Sequence, residues 1–199
     1  MSPKGRPERE YQSAKREGSP VTAAGEAKAR RARRRAIAHA RQTGDRAPDD
    51  RPEGAKKRPL AFTVQYGVAP GTLPAPVALK RWAKAASDRP GTVTVRFVGR
   101  REGQTLNAHF RGKEYATNVL AFVYDGSARI EGDIVLCAPV VRDEARREGK
   151  TLADHCAHLV VHGMLHLQGY DHDTVRAARA MERRETAILA MLGVPDPYA

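Results

Sequence analysis

From about residue 59 onwards, the pattern of apolar and polar positions predicts a series of strands and helices. Alternating apolar and polar side chains indicate four strands, at residues 60–66, 92–98, 118–124 and 130–137. Apolar residues at helical spacing indicate five helices, at residues 77–87, 103–110, 138–148, from 151 to the glycine at 169, and from 173 or 174 to 192. This part of the chain is long enough for one domain of ordinary size.

The fourth predicted helix is expected to be central and buried, because it is apolar over most of its surface. Thr151 and Asp154 resemble a capping box at its start. One broad face is apolar, and four histidines fall within roughly 80° of one another on the other face: His155, His158, His162 and His166. On the last predicted helix, Glu182 and Glu185 are expected to lie on a solvated or salt-bridged face, with a supporting role beside the histidines as the alternative.

Residues 1–58 lack such a pattern and carry much of the positive charge of the chain. The chain has a formal net charge of +12, and residues 1–58 hold 17 Lys and Arg against 8 Asp and Glu. So polar a segment is predicted to be a disordered basic extension. Its densest charge cluster consists of Arg30, Arg31, Arg33, Arg34 and Arg35. This cluster suits a nucleic-acid arm, because neutralised phosphates release counterions. It equally suits a solvated tail that aids solubility.

Composition also predicts what the chain lacks. No run of about 18 apolar residues is present, so no membrane span is expected. The first residues contain no apolar segment of the secretory type. Cys137 and Cys156 are the only cysteines, and they suit buried positions in a reducing compartment.

Three histidines form the motif with the clearest chemical meaning. His162 and His166 are one helical turn apart, so their rings share a helix face. Gly169 can end the helix in the left-handed conformation and return the chain, which lets His172 approach the other two. Three imidazoles with one open position are typical of a catalytic zinc site. The spacing matches the metzincin protease pattern, except that Gly163 replaces its glutamate base.

Several separate blocks of the sequence resemble the YbeY family of bacterial endoribonucleases, also called rRNA maturation factors. The resemblance covers roughly residues 60–199. The blocks are HGMLHLQGYDH at 162–172, FRGK at 110–113, TNVL at 117–120, GDI at 132–134, and Met181 and Glu182 with Glu185. Ala121 and Val123 depart from the serine and proline that the family usually has there, so no substrate contact is carried over from that serine.

The resemblance implies an α+β fold with helices packed on a small mixed sheet, formed by residues 59–199. It implies one zinc ion per chain, held by His162, His166 and His172. It also implies a cytoplasmic, single-strand-specific endoribonuclease that matures the 3′ end of small-subunit (16S) ribosomal RNA and serves ribosome quality control. Its partners would be ribosomal RNA and the small ribosomal subunit, with non-specific RNA contacts through the basic tail. Arg111 corresponds to the family's functionally important arginine.

Other polar residues are predicted to support this chemistry. On the resemblance, Arg111 is expected to contact the phosphate at which charge builds up, and Lys113 a neighbouring phosphate. Their spacing alone favours a surface turn before a strand. Asp171 is expected to orient a ligand histidine, and His158 to support the site by hydrogen bonds. The sequence leaves three alternatives for the general base. They are hydroxide generated at the metal, a route through the 2′-hydroxyl of the RNA, and Asp171 or His158 acting through a water.

Two other functions are compatible with the residues. The histidine spacing suits a zinc peptidase, although Gly163 opposes it. The basic tail and the missing base suit a non-catalytic ribosome assembly factor with a structural zinc ion.

Overall fold

The computed structural model describes residues 60–125 and 129–199. The predicted basic extension, residues 1–58, lies outside the described residues, so its disorder and the boundary at residue 59 stay predictions. Each of the described helices is too short or too polar to cross a lipid bilayer.

The four strands of the described part form one mixed sheet. They are β1 (Leu60–Tyr66), β2 (Gly91–Val98), β3 (Val119–Asp125) and β4 (Ile130–Cys137), in the order β1-β2-β4-β3. β2 runs parallel to both β1 and β4, and β3 pairs antiparallel with β4 at the edge. At the centre, Val95 pairs with Val64 on one side and Ile134 on the other. The strand bounds agree with the predicted ones to within a residue.

Five helices accompany this sheet in the described ranges. They are α1 (Pro76–Ala86), α2 (Arg100–Arg111), α3 (Ala138–Arg147), α4 (Leu152–Leu167) and α5 (Val175–Leu192). Helix α2 begins three residues before its predicted start, because its first turn is polar and gives no apolar signal. It ends at Gly112, whose φ of 69° is left-handed. The predicted α+β fold is confirmed.

Helices cover both faces of the sheet. Ile134 and Leu136 of β4 point into the main core, which contains the apolar sides of α1, α4 and α5. The alternate residues Val135 and Cys137 point to the opposite face, where Leu106 of α2 packs. Helix α4 contacts the sheet as well as α1, α3 and α5. It is therefore central, as its composition predicts.

Candidate metal centre

Helix α4 begins at the predicted cap and presents its histidines along one side. The Thr151 side chain accepts a hydrogen bond from the Asp154 main-chain nitrogen at 3.0 Å, and its hydroxyl donates to the Asp154 carboxylate at 2.7 Å. The apolar face is fully or almost fully buried: Val160, Val161, Met164 and Leu167. His162 and His166 are only partly buried, so this helix holds their rings at the border between core and solvent.

The turn after α4 returns the chain towards the histidines. Gly169 has a φ of 90°, and its nitrogen donates to His166 O, while Tyr170 N donates to Leu165 O at 3.1 Å. This pattern ends a helix when a glycine adopts the left-handed conformation. The next residues bring His172 beside the helix, as the spacing predicts.

Gln168 anchors this turn to α1, a role that no sequence signal indicated. Its side-chain nitrogen donates to the main-chain oxygens of Ala86 at 2.9 Å and Met164 at 2.8 Å. Its side-chain oxygen accepts from Asp88 N at 2.9 Å. Because Gln168 is almost fully buried, these bonds fix where the chain leaves the helix.

The structure brings the three predicted histidines together. Ring nitrogens of His162, His166 and His172 all lie within 4.8 Å of one another. The ring centroids of His162 and His166 are 4.6 Å apart, and those of His166 and His172 are 5.1 Å apart. His172 is exposed, so the cluster is open on that side.

Hydrogen bonds at the Nδ1 atoms decide which tautomer the two helical histidines adopt. His166 Nδ1 lies 3.0 Å from the main-chain oxygen of Tyr170, and His162 Nδ1 lies 2.7 Å from Glu185 Oε1. Both partners are acceptors, so each Nδ1 carries the hydrogen and each neutral ring has its lone pair on Nε2. The two Nε2 atoms face each other 3.0 Å apart. When both rings are neutral, the two lone pairs point at each other and can bind one cation together.

This arrangement fits a metal ion. Burial, followed by the neighbouring rings of His162 and His172, lowers the pKa of His166 to about 4, so that ring is uncharged at neutral pH. Facing lone pairs repel unless a cation lies between them. Two imidazole nitrogens about 2.0–2.1 Å from one tetrahedral ion lie roughly 3.3 Å apart, close to the observed separation. The cluster can therefore hold a metal ion with little movement of its rings.

Glu185 of α5 is buried and pairs with His158 and His162, so the predicted solvated position is wrong, and its place agrees with the alternative of a supporting role. Its side chain is 0% exposed, whereas Glu182 is exposed as predicted. Glu185 Oε1 accepts from His162, and Oε2 accepts from His158 Nε2 at 3.2 Å and from the Tyr198 hydroxyl. Burial alone raises the pKa of Glu185, but these hydrogen bonds outweigh it and lower the pKa to about 2. Glu185 is therefore a carboxylate that orients His162.

A sequence signal for Glu185 did exist. It lies four residues after Met181 and three before Ile188, on the apolar stripe that α5 buries. A carboxylate on such a stripe is expected to be paired or hydrogen-bonded, because an isolated buried charge is costly.

The other predicted supporting residues have different neighbours. His158 hydrogen-bonds to Glu185, and its Nδ1 is buried with no partner among the described residues. His158 is thus connected to His162 of the cluster through the Glu185 carboxylate. Asp171 accepts a hydrogen bond from the main-chain nitrogen of His172 at 2.7 Å, which restrains the turn. His155 is buried and lies 3.0 Å from Glu144.

Gly163 allows α4 to pack closely on the sheet. A Cβ at this position would lie 2.9–3.1 Å from three side-chain carbons of Ile134. Such distances are shorter than van der Waals contact, so a larger residue would push the helix off β4. The position at which metzincins have their glutamate therefore faces the core, with no room for a side chain.

Arg111 and Lys113 lie at the end of α2 and just after it. Arg111 is the last residue of α2, which packs on the sheet face opposite α4, and both side chains are exposed. Next to Arg111, the Phe110 ring packs edge-on against Phe122 of edge strand β3, with centroids 4.9 Å apart. Helix α4 contacts β3 from the other face, where Ala121 packs against the main core. Helix α4 and the end of α2 thus adjoin the same edge strand from opposite faces.

Replacing Glu185 by glutamine should weaken metal binding by roughly 10- to 100-fold, the range for residues that orient a metal-ligating histidine. The neutral amide keeps the size of the side chain but can present its NH₂ group to His162, which favours the wrong tautomer. The measurement is zinc affinity by competition with a chromogenic chelator. Glu182→Gln, at an exposed position of the same helix, is the matched control. Equal affinities of the two variants would contradict the role assigned to Glu185.

Fold and site together define an α+β protein with a three-histidine cluster that can hold a metal ion. The family model described as Endoribonuclease YbeY matches residues 77–193. Endoribonuclease YbeY of Aromatoleum aromaticum is 53% identical over 143 residues, covering 70% of this chain and 93% of that protein. Endoribonuclease YbeY of Nitrosomonas europaea is 52% identical over 139 residues, covering 70% and 85%.

A solution structure of a Thermotoga maritima protein also aligns, with a TM-score of 0.43 at 24% identity, over 66% of this chain and 91% of the other. The extent and identity of the sequence matches show that this chain belongs to the YbeY endoribonuclease family, which confirms the resemblance noted from its motifs.

Proposed function

We propose that this chain is a zinc-dependent, single-strand-specific endoribonuclease that acts in 3′ end maturation of small-subunit (16S) ribosomal RNA and in ribosome quality control. The observation that carries the metal dependence is the pair of Nε2 atoms of His162 and His166, facing each other at 3.0 Å. Membership of the endoribonuclease family supports RNA as the substrate.

Zinc is the metal that this donor set suits best. Catalytic zinc sites use three protein ligands, and His162, His166 and His172 would supply them and leave one position open. A histidine ligand of zinc commonly donates its second nitrogen to a carboxylate or main-chain carbonyl, as His162 does to Glu185 and His166 to Tyr170. When bound, the ion would supply a Lewis acid for a phosphoryl oxygen or activate a water.

Arg111 and Lys113 are proposed to hold the RNA backbone. The Arg111 guanidinium is permanently charged and planar, so it can bind two oxygens of the scissile phosphate and stabilise charge as the bond breaks. Lys113 would bind a neighbouring phosphate as a point charge. Both side chains are exposed, and neither has a polar partner among the described residues, so both are available to a ligand. RNA lying across the β3 edge would reach these residues and the histidines together.

The domain organisation, the partners and the cellular compartment are also proposals. Residues 59–199 would form the catalytic domain, with residues 1–58 as a disordered basic extension that adds non-specific contacts to RNA. The partners would be ribosomal RNA and the small ribosomal subunit, in the cytoplasm. Two cysteines, both buried and unpaired, are compatible with a reducing compartment.

Arg111→Ala should reduce the rate of RNA cleavage by about 100-fold and leave zinc affinity unchanged, because Arg111 would act on the phosphate and not on the metal. The measurement is single-turnover cleavage of a precursor fragment that contains the 3′ end of small-subunit rRNA, paired with chelator competition. Arg101→Ala is the matched control, since Arg101 is an exposed arginine near the start of the same helix.

Full cleavage by Arg111→Ala would contradict the role of Arg111. If purified wild type binds zinc but cuts no RNA, alone or with small subunits added, the chain is instead an assembly factor with a structural metal.

A further inference from the structure

The segment after α5, residues 194–199, packs against Glu185 and His158, the residues that support the histidine cluster. The Tyr198 hydroxyl donates a hydrogen bond to Glu185 Oε2, and the Tyr198 ring meets the His158 ring edge-on with centroids 5.6 Å apart. These residues follow the part of the chain that the family model matches, which ends at residue 193. The contact ties residues 194–199 to the buried carboxylate that orients His162.

Two hydrogen bonds tie this segment to the rest of the domain, and a third within it fixes its turn, without using the Tyr198 hydroxyl. Lys150 Nζ donates to the main-chain oxygen of Pro197 at 3.0 Å. The Asp196 carboxylate accepts from the Thr186 hydroxyl at 3.2 Å and from the Tyr198 main-chain nitrogen at 3.0 Å. The Tyr198 side chain is consequently aimed at Glu185 by an anchored backbone.

The hydroxyl of Tyr198 supplies one of the hydrogen bonds that the buried Glu185 carboxylate requires. This carboxylate is completely buried, and a buried charge is stable only when hydrogen bonds replace its lost water. His162 Nδ1 donates a hydrogen bond to Oε1, whereas His158 Nε2 and the Tyr198 hydroxyl both donate to Oε2. Without the hydroxyl, Oε2 would keep one donor, and the carboxylate would be less firmly oriented.

We propose that Tyr198 is a positioning residue for the metal centre. Its hydroxyl fixes the Glu185 carboxylate, Glu185 fixes the hydrogen of His162 on Nδ1, and Nε2 of His162 is thereby kept free for the metal. The inference rests on the proposed zinc site. It adds a contribution from residues 194–199, which pack beside the cluster and supply no ligand themselves.

The test compares zinc affinities of the purified full chain by chelator competition, without RNA. Tyr198→Phe removes only the hydroxyl and keeps the ring against His158, and it should weaken zinc binding by about tenfold, the lower end for residues that support a ligand. Lys150→Ala removes one hydrogen bond that ties the segment to the domain but keeps the Thr186–Asp196 bond and the hydroxyl, so its affinity should stay within about twofold of wild type.

A spectroscopic readout separates positioning from a general loss of structure. Long-range ¹H–¹⁵N spectra of the metal-free protein report which nitrogen of His162 carries the hydrogen. Wild type and Lys150→Ala should show hydrogen on Nδ1, and Tyr198→Phe a mixture of both tautomers. Equal zinc affinity and the same single tautomer in wild type and Tyr198→Phe would overturn this inference alone. A wild-type chain that binds no zinc would overturn the proposed metal site as well.

Discussion

His166→Ala should lose zinc binding and RNA cleavage together. His166 is the middle ligand of the cluster, with ring centroids 4.6 Å from His162 and 5.1 Å from His172. Removing it leaves two ligands and breaks the facing Nε2 pair. Because changes in residues that merely support a ligand cost about 10- to 100-fold in affinity, loss of a ligand should cost more than about 100-fold. Cleavage should fall below about one hundredth of wild type, since a metal contributes several kcal/mol to stabilising the transition state.

The control for this variant is His109→Ala. His109 is an exposed histidine of α2 that lies outside the cluster, so its removal should change neither zinc content nor affinity. Zinc content is measured after dialysis by elemental analysis, and folding by circular dichroism. A folded His166→Ala protein that retains one zinc per chain would contradict the proposed ligand set.

Gly163→Glu should unfold or strongly destabilise the domain, by roughly 3–5 kcal/mol, and should not create a peptidase. The added Cβ overlaps Ile134 at 2.9 Å, and the carboxylate would enter a core with no donor prepared for it. Overpacking costs about 1–3 kcal/mol and an unpaired buried polar group adds a comparable amount. Urea unfolding followed by circular dichroism measures the loss.

Gly99→Glu is the matched control, because a Cβ there meets only Val68 at an ordinary 3.7 Å. Gly99 also caps the start of α2, where the helix dipole favours a negative charge. Gly163→Glu as stable as this control would mean that α4 can shift away from the sheet. Zinc-dependent peptide cleavage by that variant would restore the peptidase alternative.

Most of the fold was predictable because its signals are local. Alternation in residues 92–98 places Val93, Val95 and Phe97 inside, and all three are completely buried. The cap at Thr151 and the left-handed glycines at 169 and 193 mark where helices begin and end. The histidine cluster was predictable for the same reason. Two of its histidines are one helical turn apart, and the chain reversal at Gly169 brings the third beside them.

What could not be predicted depends on which elements meet in space. Glu185 lies 23 residues after His162, and only the packing of α5 on α4 shows that its carboxylate reaches His162 Nδ1. Gln168 could not be assigned either, because its partner oxygen at Ala86 is 82 residues away. Tyr198 follows two prolines in a segment without periodicity, so nothing in the sequence around it indicated a contact with Glu185.

A metal ion held by the three histidines is proposed to make this chain an RNA-cleaving enzyme. The most direct measurement is cleavage of a precursor fragment with the 3′ end of small-subunit rRNA by three preparations purified side by side: metal-stripped wild type, the same protein with zinc restored, and His166→Ala supplied with zinc. Only the zinc-restored wild type should cleave the fragment. Cleavage at the same rate by His166→Ala or by the stripped protein in the presence of chelator would contradict it.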